Sequence, residues 1–247
     1  MRGATTIRET ELDFGGKNVY SKARRIRQPK VKLPKDIYPN RRLKMDGLKL
    51  LAKLPEKSVP AAFLDPQYRS ILDKMGYGNE GKTRGKARCA LEQMDAETIS
   101  QFVRSIARVL IPTGHLFLWM DKFEVLNGFH AWMEDTELEI VDMVSWDKAR
   151  MGMGYRTRRT TEYCVILQKK PKRAKGVWKI HNIPDTWREK APAGKHPHRK
   201  PVELQAKLIE AVTNEGDLVL DPCAGSFSVL EACRRQGRNF VGCDLNG

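Results

Sequence analysis

Cysteine is scarce in this sequence, and no pair has C-x-x-C spacing. Five cysteines are scattered over 247 residues. A structural zinc site or a disulfide framework needs clustered or regularly spaced cysteines. We therefore expect reduced thiols and a cytoplasmic location. His196 and His198 have no third ligand near them in the sequence, so we predict no metal site.

Long apolar runs are also missing. No stretch approaches the roughly 18 apolar residues that a membrane span requires. The first ten residues, MRGATTIRET, contain no apolar run of the kind found in secretory signals. We therefore expect neither a membrane span nor export. With 40% hydrophobic and 30% charged residues, the composition is typical of one globular domain.

Negative charge is scarce in two segments. Residues 1–44 hold 13 Lys or Arg and 4 Asp or Glu, and residues 148–200 hold 16 and 3. The other residues are mildly acidic, so the formal net charge of +15 is concentrated in these two segments. Basic charge segregated in this way favours a polyanionic partner, most simply nucleic acid, over a general solubilising role.

Helix and strand patterns alternate along the chain. Apolar strands are predicted at VPAAFLD, HLFLWM, LEIVDMVSW, TEYCVILQK, DLVLDP and NFVGCD, and a short strand ends near Asp46. The clearest amphipathic helix is DAETISQFVRSIARVLIP, with Asp95 as its N-cap. KFEVLNGFHAWMED is predicted as one helix. This alternation predicts a doubly wound α/β fold with a mostly parallel sheet.

Four aspartates follow predicted strands: Asp46, Asp65, Asp221 and Asp244. Ligands of doubly wound sheets bind at the carboxyl ends of the strands. After Asp221, the small residues of DPCAGSFS precede a helix, and Asp244 ends the next strand. Such a turn and acid suit a nucleoside-containing cofactor, although a tight turn with a solvated acid explains them equally well. The G-x-G-x-x-G run of dinucleotide-binding proteins is absent.

Four motifs in this chain resemble those of the β-class DNA amino-methyltransferases. DPQY resembles D/N/S-P-P-Y, DPCAGSFS resembles the cofactor motif D-P-F-x-G-S-G-T, and KHPHRKPVEL resembles the H-P-x-x-K-P segment. LKMDGLKLLAKLPEKSV resembles the segment that supplies an acid to the cofactor adenine. The resemblance covers residues 41–247. It implies a Rossmann-like methyltransferase fold with permuted motif order, S-adenosylmethionine as cofactor, and a target base flipped out of DNA.

The resemblance assigns catalysis to Asp65, Pro66, Gln67 and Tyr68. The amine of an aromatic base is a poor nucleophile, because its lone pair is delocalised into the ring. The Asp65 carboxylate and the Pro66 carbonyl are implied to accept the N–H groups of the amine, which frees the lone pair. Tyr68 is implied to stack on the flipped base.

The resemblance also implies a cofactor site. Asp46 is expected at the adenine amine, Asp244 at the ribose hydroxyls and Asp221 at the methionine end. Lys200 is expected to pair with the methionine carboxylate, or else to be a solvated lysine before a helix. The predicted cofactor-binding residues are Asp46, Gly47, Lys200, Asp221, Cys223, Ala224, Gly225, Ser226 and Asp244.

Three residues depart from the family pattern. Gln67 replaces the second proline of the target motif and supplies an amide that could contact base or cofactor. Phe227 stands where the family has glycine, and Cys223 stands where it has phenylalanine. The large side chain therefore lies at position 227 instead of position 223, which could reshape the pocket or weaken cofactor binding.

The predicted organisation is a basic N-terminal arm, residues 1–40, followed by a catalytic domain, residues 41–247. A basic target-recognition insertion is expected at about 148–200, and loop 74–90 is expected to close over the flipped base. We expect the arm, or a second subunit in a homodimer, to cover the sheet surface beside the last strand. The predicted nucleic-acid contacts are Lys82, Arg84, Arg156, Arg158, Arg159, Lys172 and Arg173.

The leading interpretation is a bacterial or phage-encoded enzyme that methylates N6 of adenine in double-stranded DNA. Cytosine N4 remains an alternative, since the same motif serves both amines and Asp65 only slightly favours adenine. RNA is a further alternative substrate. An interpretation from another class is a non-catalytic nucleic-acid-binding relative in which Gln67 and Phe227 mark a decayed site.

Overall fold

The computed structural model describes residues 31–67, 94–152, 156–190 and 199–247. Three predicted site residues, Tyr68, Lys82 and Arg84, lie outside the described residues. So do loop 74–90, most of the predicted arm, and His196 and His198.

The described residues contain one eight-stranded sheet with the spatial order β1-β8-β7-β2-β3-β5-β4-β6. Strand β5 is antiparallel to β3 and β4, and every other neighbouring pair is parallel. The predicted doubly wound, mostly parallel fold is confirmed. The strands are β1 Leu43–Lys44, β2 Val59–Leu64, β3 Leu110–Met120, β4 Leu138–Asp147, β5 Thr161–Lys169, β6 Thr186–Arg188, β7 Leu218–Asp221 and β8 Asn239–Asp244.

Helices cover both faces of the sheet, because the side chains of the central strands alternate between two apolar clusters. One face packs against α1 and α2, and the other packs against α4 and α5. Asp95 caps α2 as predicted, since the Thr98 N–H donates to its carboxylate at 2.8 Å. The helices are α1 Gly47–Lys53, α2 Ala96–Val109, α3 Lys122–Asn127, α4 Val202–Val212 and α5 Ser228–Arg235. No helix in the four described ranges is long and apolar enough to cross a bilayer.

The prediction of a single helix for KFEVLNGFHAWMED is wrong. Helix α3 ends at Asn127, and a separate 3₁₀ turn follows at His130–Met133. Gly128 lies between them with φ 89°, a backbone conformation that a continuous α-helix cannot contain. The apolar periodicity continues through both pieces, which is why the sequence pattern alone did not separate them.

Residues 31–42 lie against the last strand and extend the core. Ile37 is 3% exposed within the apolar cluster beside α1 and α2. The Asn40 side chain accepts from the Phe240 N–H at 2.9 Å and donates to the Asn239 side-chain oxygen at 2.8 Å. Strand β1 then pairs with β8. This segment covers the sheet edge for which the sequence predicted either the arm or a second subunit.

Asn40 offers a test of this docking, because its φ of 63° lies in the left-handed region. Asn40→Gly keeps that conformation and loses the side-chain hydrogen bonds, so the free energy of unfolding should fall by about 1 kcal/mol. Asn40→Ala should lose roughly another 1 kcal/mol through backbone strain. Urea unfolding measures both, with the exposed Asn127→Ala as a control that stays within about 0.5 kcal/mol. Equal losses in the Gly and Ala variants would contradict the strained conformation.

Candidate functional site

One cavity of about 490 Å³ lies at the carboxyl ends of β1, β2, β7 and β8. Its volume is that of a small-molecule or cofactor pocket. The parallel pairs β2–β7 and β7–β8 bring these strand ends side by side. All four strand-end aspartates, Asp46, Asp65, Asp221 and Asp244, line this cavity. The acids that the sequence placed at separate strand ends therefore meet in one place.

The turn after β7 forms one wall of the cavity and orients Asp244. The Gly225 N–H donates to Asp244 Oδ2 at 3.1 Å, and the Asn246 N–H donates to Asp244 Oδ1 at 2.9 Å. A carboxylate oxygen accepts more than one hydrogen bond, so Asp244 keeps acceptor capacity for a ligand. Cys223, Ala224, Gly225 and Ser226, all predicted at the cofactor, line the same wall.

Gly47 allows helix α1 to lie against that turn. A Cβ at this position would lie 2.4 Å from the Pro222 carbonyl oxygen and 2.6 Å from the Phe102 ring. Only glycine fits without a shift of backbone or ring. The preceding residue, Asp46, caps α1 by accepting from the Lys49 N–H at 2.9 Å. The cap fixes the Asp46 carboxylate at the edge of the cavity.

Negative charge is crowded around Asp221. Its side chain is buried at the end of β7, and burial raises the pKa of its carboxyl well above the ordinary value. A hydrogen bond from the Cys223 N–H opposes this effect, while the nearby Asp65 and Asp244 carboxylates raise the pKa further. A cationic ligand in this cavity would relieve the crowding.

The departure at Phe227 does not fill the pocket. Phe227 adopts φ 58° and ψ 35°, a left-handed conformation that glycine adopts without strain. Its ring is 2% exposed, packs 6.2 Å from the Phe240 ring centre and lies 5.1 Å below the Arg42 guanidinium. Phe227 is absent from the described residues that line the cavity, whereas Cys223 is among them.

A half-buried row of alternating charges ends at Asp65. Lys200 Nζ lies 2.8 Å from Asp65 Oδ2 and 3.0 Å from Glu162 Oε2. On the far side, Lys148 Nζ lies 3.1 Å from Glu162 Oε1. The Lys200 side chain is 12% exposed, and Nζ lies 5.6 Å from the centre of the Trp119 ring. Lys200 also lines the cavity, and its ion pairs are with the carboxylates of Asp65 and Glu162.

The members of this row keep one another charged. Burial disfavours the ammonium form of Lys200, but the Asp65 and Glu162 carboxylates outweigh burial and raise its pKa above the ordinary value. Burial likewise disfavours the carboxylate form of Glu162, but Lys200 and Lys148 outweigh it and lower the pKa of Glu162 to about 2. Lys200 and Glu162 are therefore both charged at neutral pH.

The rest of the target motif continues from Asp65. Pro66 is buried, and Gln67 lines the cavity while its carbonyl accepts from the Met94 N–H at 2.7 Å. That bond ties the motif to the residues preceding α2. Tyr68 lies outside the described residues.

The sequence patterns did not indicate four residues of the site: Lys148, Glu162, Trp119 and Gln205. Trp119 and Gln205 are each 1% exposed and line the cavity. Trp119 Nε1 and Gln205 Oε1 are buried and have no hydrogen-bond partner among the described residues, which is uncommon for buried polar atoms. Glu162 left one signal, an acidic residue near the start of a strand whose central residues are apolar.

The predicted nucleic-acid contacts separate into two groups. Arg156 and Arg158 are exposed between β4 and β5, at the end of the sheet that holds the cavity. In the same loop, Arg159 is largely buried, pairs with Asp121 at 3.1 Å and stacks 5.1 Å above the Phe123 ring. This placement differs from the exposed one that a phosphate contact needs.

Lys172 and Arg173 follow the opposite end of β5. Because β5 has nine residues, that end lies roughly 26 Å from the cavity end. The Arg173 backbone is also bonded to the buried Gln168 side chain. Lys172 and Arg173 therefore lie at the end of the sheet opposite the cavity, and their contact with nucleic acid stays a prediction.

Trp178 and Trp187 lie within the basic segment, residues 148–200, and pack against the apolar cluster beside α4 and α5. The Trp187 indole N–H donates to the Glu189 carboxylate at 2.9 Å, and the Trp178 indole N–H donates to the Ile180 carbonyl. Both rings therefore serve packing in this structure.

Comparison with known proteins agrees with this geometry. The family model described as DNA methylase matches residues 63–247. The type II methyltransferase M.HhaII of Haemophilus parahaemolyticus is 55% identical over 209 residues, covering 84% of this chain and 92% of that protein. The DNA adenine methyltransferase YhdJ of Escherichia coli K12 is 45% identical over 51 residues, covering 21% of this chain and 17% of that protein.

Among solved structures, the complex of M1.HpyAVI with S-adenosylmethionine superimposes with a TM-score of 0.57. It is 21% identical, and the match covers 81% of this chain and 91% of that one. At this identity the likeness concerns the fold. Together with the family match over most of the chain, it shows that the protein belongs to the N6/N4 DNA methylase family and is an S-adenosylmethionine-dependent DNA methyltransferase.

Proposed function

We propose that this protein methylates N6 of adenine in double-stranded DNA, as the modification enzyme of a type II system. The observation that carries the proposal is that Asp65 of the target motif lies in the same cavity as the turn and acids expected at the cofactor. The relatives named as a type II methyltransferase and as a DNA adenine methyltransferase support the substrate. Both come from bacteria, which supports a cytoplasmic, DNA-associated enzyme.

The cavity fits the cofactor chemically. Asp244, held by two backbone N–H groups, suits the ribose hydroxyls, and Asp46 suits the adenine amine. The buried Trp119 donor and Gln205 acceptor suit the charged amino-acid end. The crowded carboxylates around Asp221 suit a ligand that carries a sulfonium charge. When bound, the cofactor supplies an electrophilic methyl group.

The DPQY residues prepare the target amine. The Asp65 carboxylate accepts one N–H of the adenine amine, and the Pro66 carbonyl accepts the other. Both acceptors draw the nitrogen toward a tetrahedral arrangement, which returns its lone pair from the ring. Proline fixes φ, so the direction of this stretch of backbone is restrained. Most of the rate enhancement then comes from positioning.

Two other substrates share this chemistry. Cytosine N4 presents the same kind of amine, and the choice of adenine rests on Asp65 and on the relative named for adenine. RNA is the other candidate, since basic charge alone does not distinguish it from DNA. The direct test incubates the protein with labelled S-adenosylmethionine and unmethylated duplex DNA, then identifies the modified nucleoside. A parallel reaction replaces the duplex DNA with RNA. Labelled N6-methyladenine in DNA is expected, whereas N4-methylcytosine in DNA, label in the RNA reaction alone, or no label would overturn the proposal.

Removing the Asp65 carboxylate should abolish most methyl transfer. We expect Asp65→Ala to lower the single-turnover rate by about 10²–10⁴-fold, because one of the two acceptors for the amine is lost. Salt-dependent DNA binding, measured by fluorescence anisotropy, should stay close to that of the unmodified protein. Asp142→Ala, at an exposed position on β4, is the matched control. Undiminished transfer by Asp65→Ala would remove Asp65 from the mechanism.

Replacing Asp244 should act on cofactor affinity instead. Asp244→Ala removes a charged acceptor for the ribose hydroxyls, a loss of about 1.5–3 kcal/mol, so the Kd for S-adenosylmethionine should rise roughly 10- to 100-fold. Isothermal titration calorimetry measures this Kd. At saturating cofactor the transfer rate should recover to within a few-fold of the original. An unchanged Kd would place the ribose elsewhere.

A further inference from the structure

We propose that Lys200 is a positioning residue that holds the Asp65 carboxylate ionised and oriented for the target amine, and that Glu162 anchors Lys200 in that place. This inference rests on the proposed role of Asp65 in methylation. It gives Lys200 a different role from the cofactor-carboxylate contact that the motif resemblance implied. Glu162 gains a role that no motif in the chain indicated.

The contact between Lys200 and Asp65 supports the positioning role of Lys200. Lys200 precedes α4, and Asp65 follows β2 on the face that α4 covers, since Ala61 and Phe63 belong to the same apolar cluster as α4. The 2.8 Å contact from Lys200 Nζ to Asp65 Oδ2 restrains the position of that carboxylate oxygen. Fixing one oxygen sets the direction of the other, and small errors in direction cost rate when catalysis depends on positioning.

The protonation state of Asp65 decides whether its oxygens accept from the target amine. A carboxylate accepts hydrogen bonds from an amine, whereas a protonated carboxyl group donates one of its own and would compete. An ammonium within about 4 Å favours the carboxylate form. Lys200 therefore favours the accepting form of Asp65 inside a cavity that Asp65 shares with the Asp221 and Asp244 carboxyl groups.

Glu162 explains why the ammonium stays in place. If Asp65 were its only carboxylate partner, the Lys200 ammonium would move closer to Asp65. The carboxylate of Glu162, on β5, lies 3.0 Å from Lys200 Nζ and also holds the ammonium. Lys148 in turn holds Glu162 at 3.1 Å, so no charge in the row is left uncompensated. Lys148 opens the basic loop that carries the exposed Arg156 and Arg158, and the row therefore joins that loop to Asp65.

The test measures three quantities for Lys200→Met and Lys200→Arg: the Kd for S-adenosylmethionine, the single-turnover rate at saturating cofactor, and its pH profile. For Lys200→Met we expect an unchanged Kd and a rate lower by about 10- to 100-fold. The acid limb should move upward in pH, since the ammonium that favours the carboxylate form of Asp65 is then missing. Lys200→Arg keeps the charge and should restore the limb. Lys207→Met, an exposed lysine on α4, is the matched control.

Among the described residues, the other titratable groups near Asp65 and Lys200 are Glu162, Asp221, Cys164 and Cys223. Burial raises the pKa of both thiols, so they remain neutral over the acid limb. Glu162→Gln leaves the ammonium beside Asp65, so it should lower the rate several-fold without moving the limb. The double variant with Glu162→Gln and Lys200→Met removes one charge of each sign, and its limb should match that of Lys200→Met.

An unmoved acid limb in Lys200→Met and in the double variant would overturn the proposal. So would a raised Kd with an unchanged rate at saturation, which would return Lys200 to the cofactor carboxylate. Transfer by the original protein and its loss in Asp65→Ala test the proposed function independently. If both hold while the limb does not move, only the positioning role fails. If the original protein transfers no methyl group, both proposals fail.

Discussion

Parallel pairing of β2 with β7 is the constraint on which the site depends. In this register Ala62 lies opposite Leu220, so β2 ends one residue beyond the end of β7. The target motif after Leu64 and the cofactor turn after Asp221 are far apart in the chain, yet they face one cavity. A shift of one residue in β2 would turn Asp65 to the other face of the sheet, away from Lys200. The register is held by burial of both faces of β2, whose six residues are all buried.

The two faces of the sheet have different tasks around this cavity. On one face, α1 brings Asp46 and Gly47 against the turn after β7, at a separation that only glycine permits. On the other face, the start of α4 brings Lys200 beneath Asp65, and β5 contributes Glu162 from a neighbouring antiparallel pair. Asp46 and Gly47 therefore reach the cavity from one face of the sheet, whereas Lys200 and Glu162 reach Asp65 from the other.

The sequence predicted the elements that repeat a local pattern. Apolar strands, the α2 cap at Asp95 and the acids at strand ends were readable because each depends on neighbours in the chain. Glu162 and Lys148 were not, because their role exists only through a contact with Lys200, which lies 38 residues after Glu162. The basic segment illustrates the same limit. Its charges look continuous in sequence, yet the antiparallel β5 carries Arg158 and Arg173 to opposite ends of the sheet. Phe227 departs from the cofactor motif, which has glycine at this position. It nevertheless adopts a left-handed backbone conformation that glycine also adopts.

A structure with S-adenosylmethionine bound tests the central claim most directly, through the distance from the Asp65 carboxylate to the donor methyl carbon. An amine held by a hydrogen bond and poised for attack spans about 6 Å between them. The account predicts a separation near that value, with the carboxylate facing the methyl group and Lys200 still on Oδ2. A methyl group on the far side of the cavity, or an Asp65 side chain turned away from it, would contradict the account.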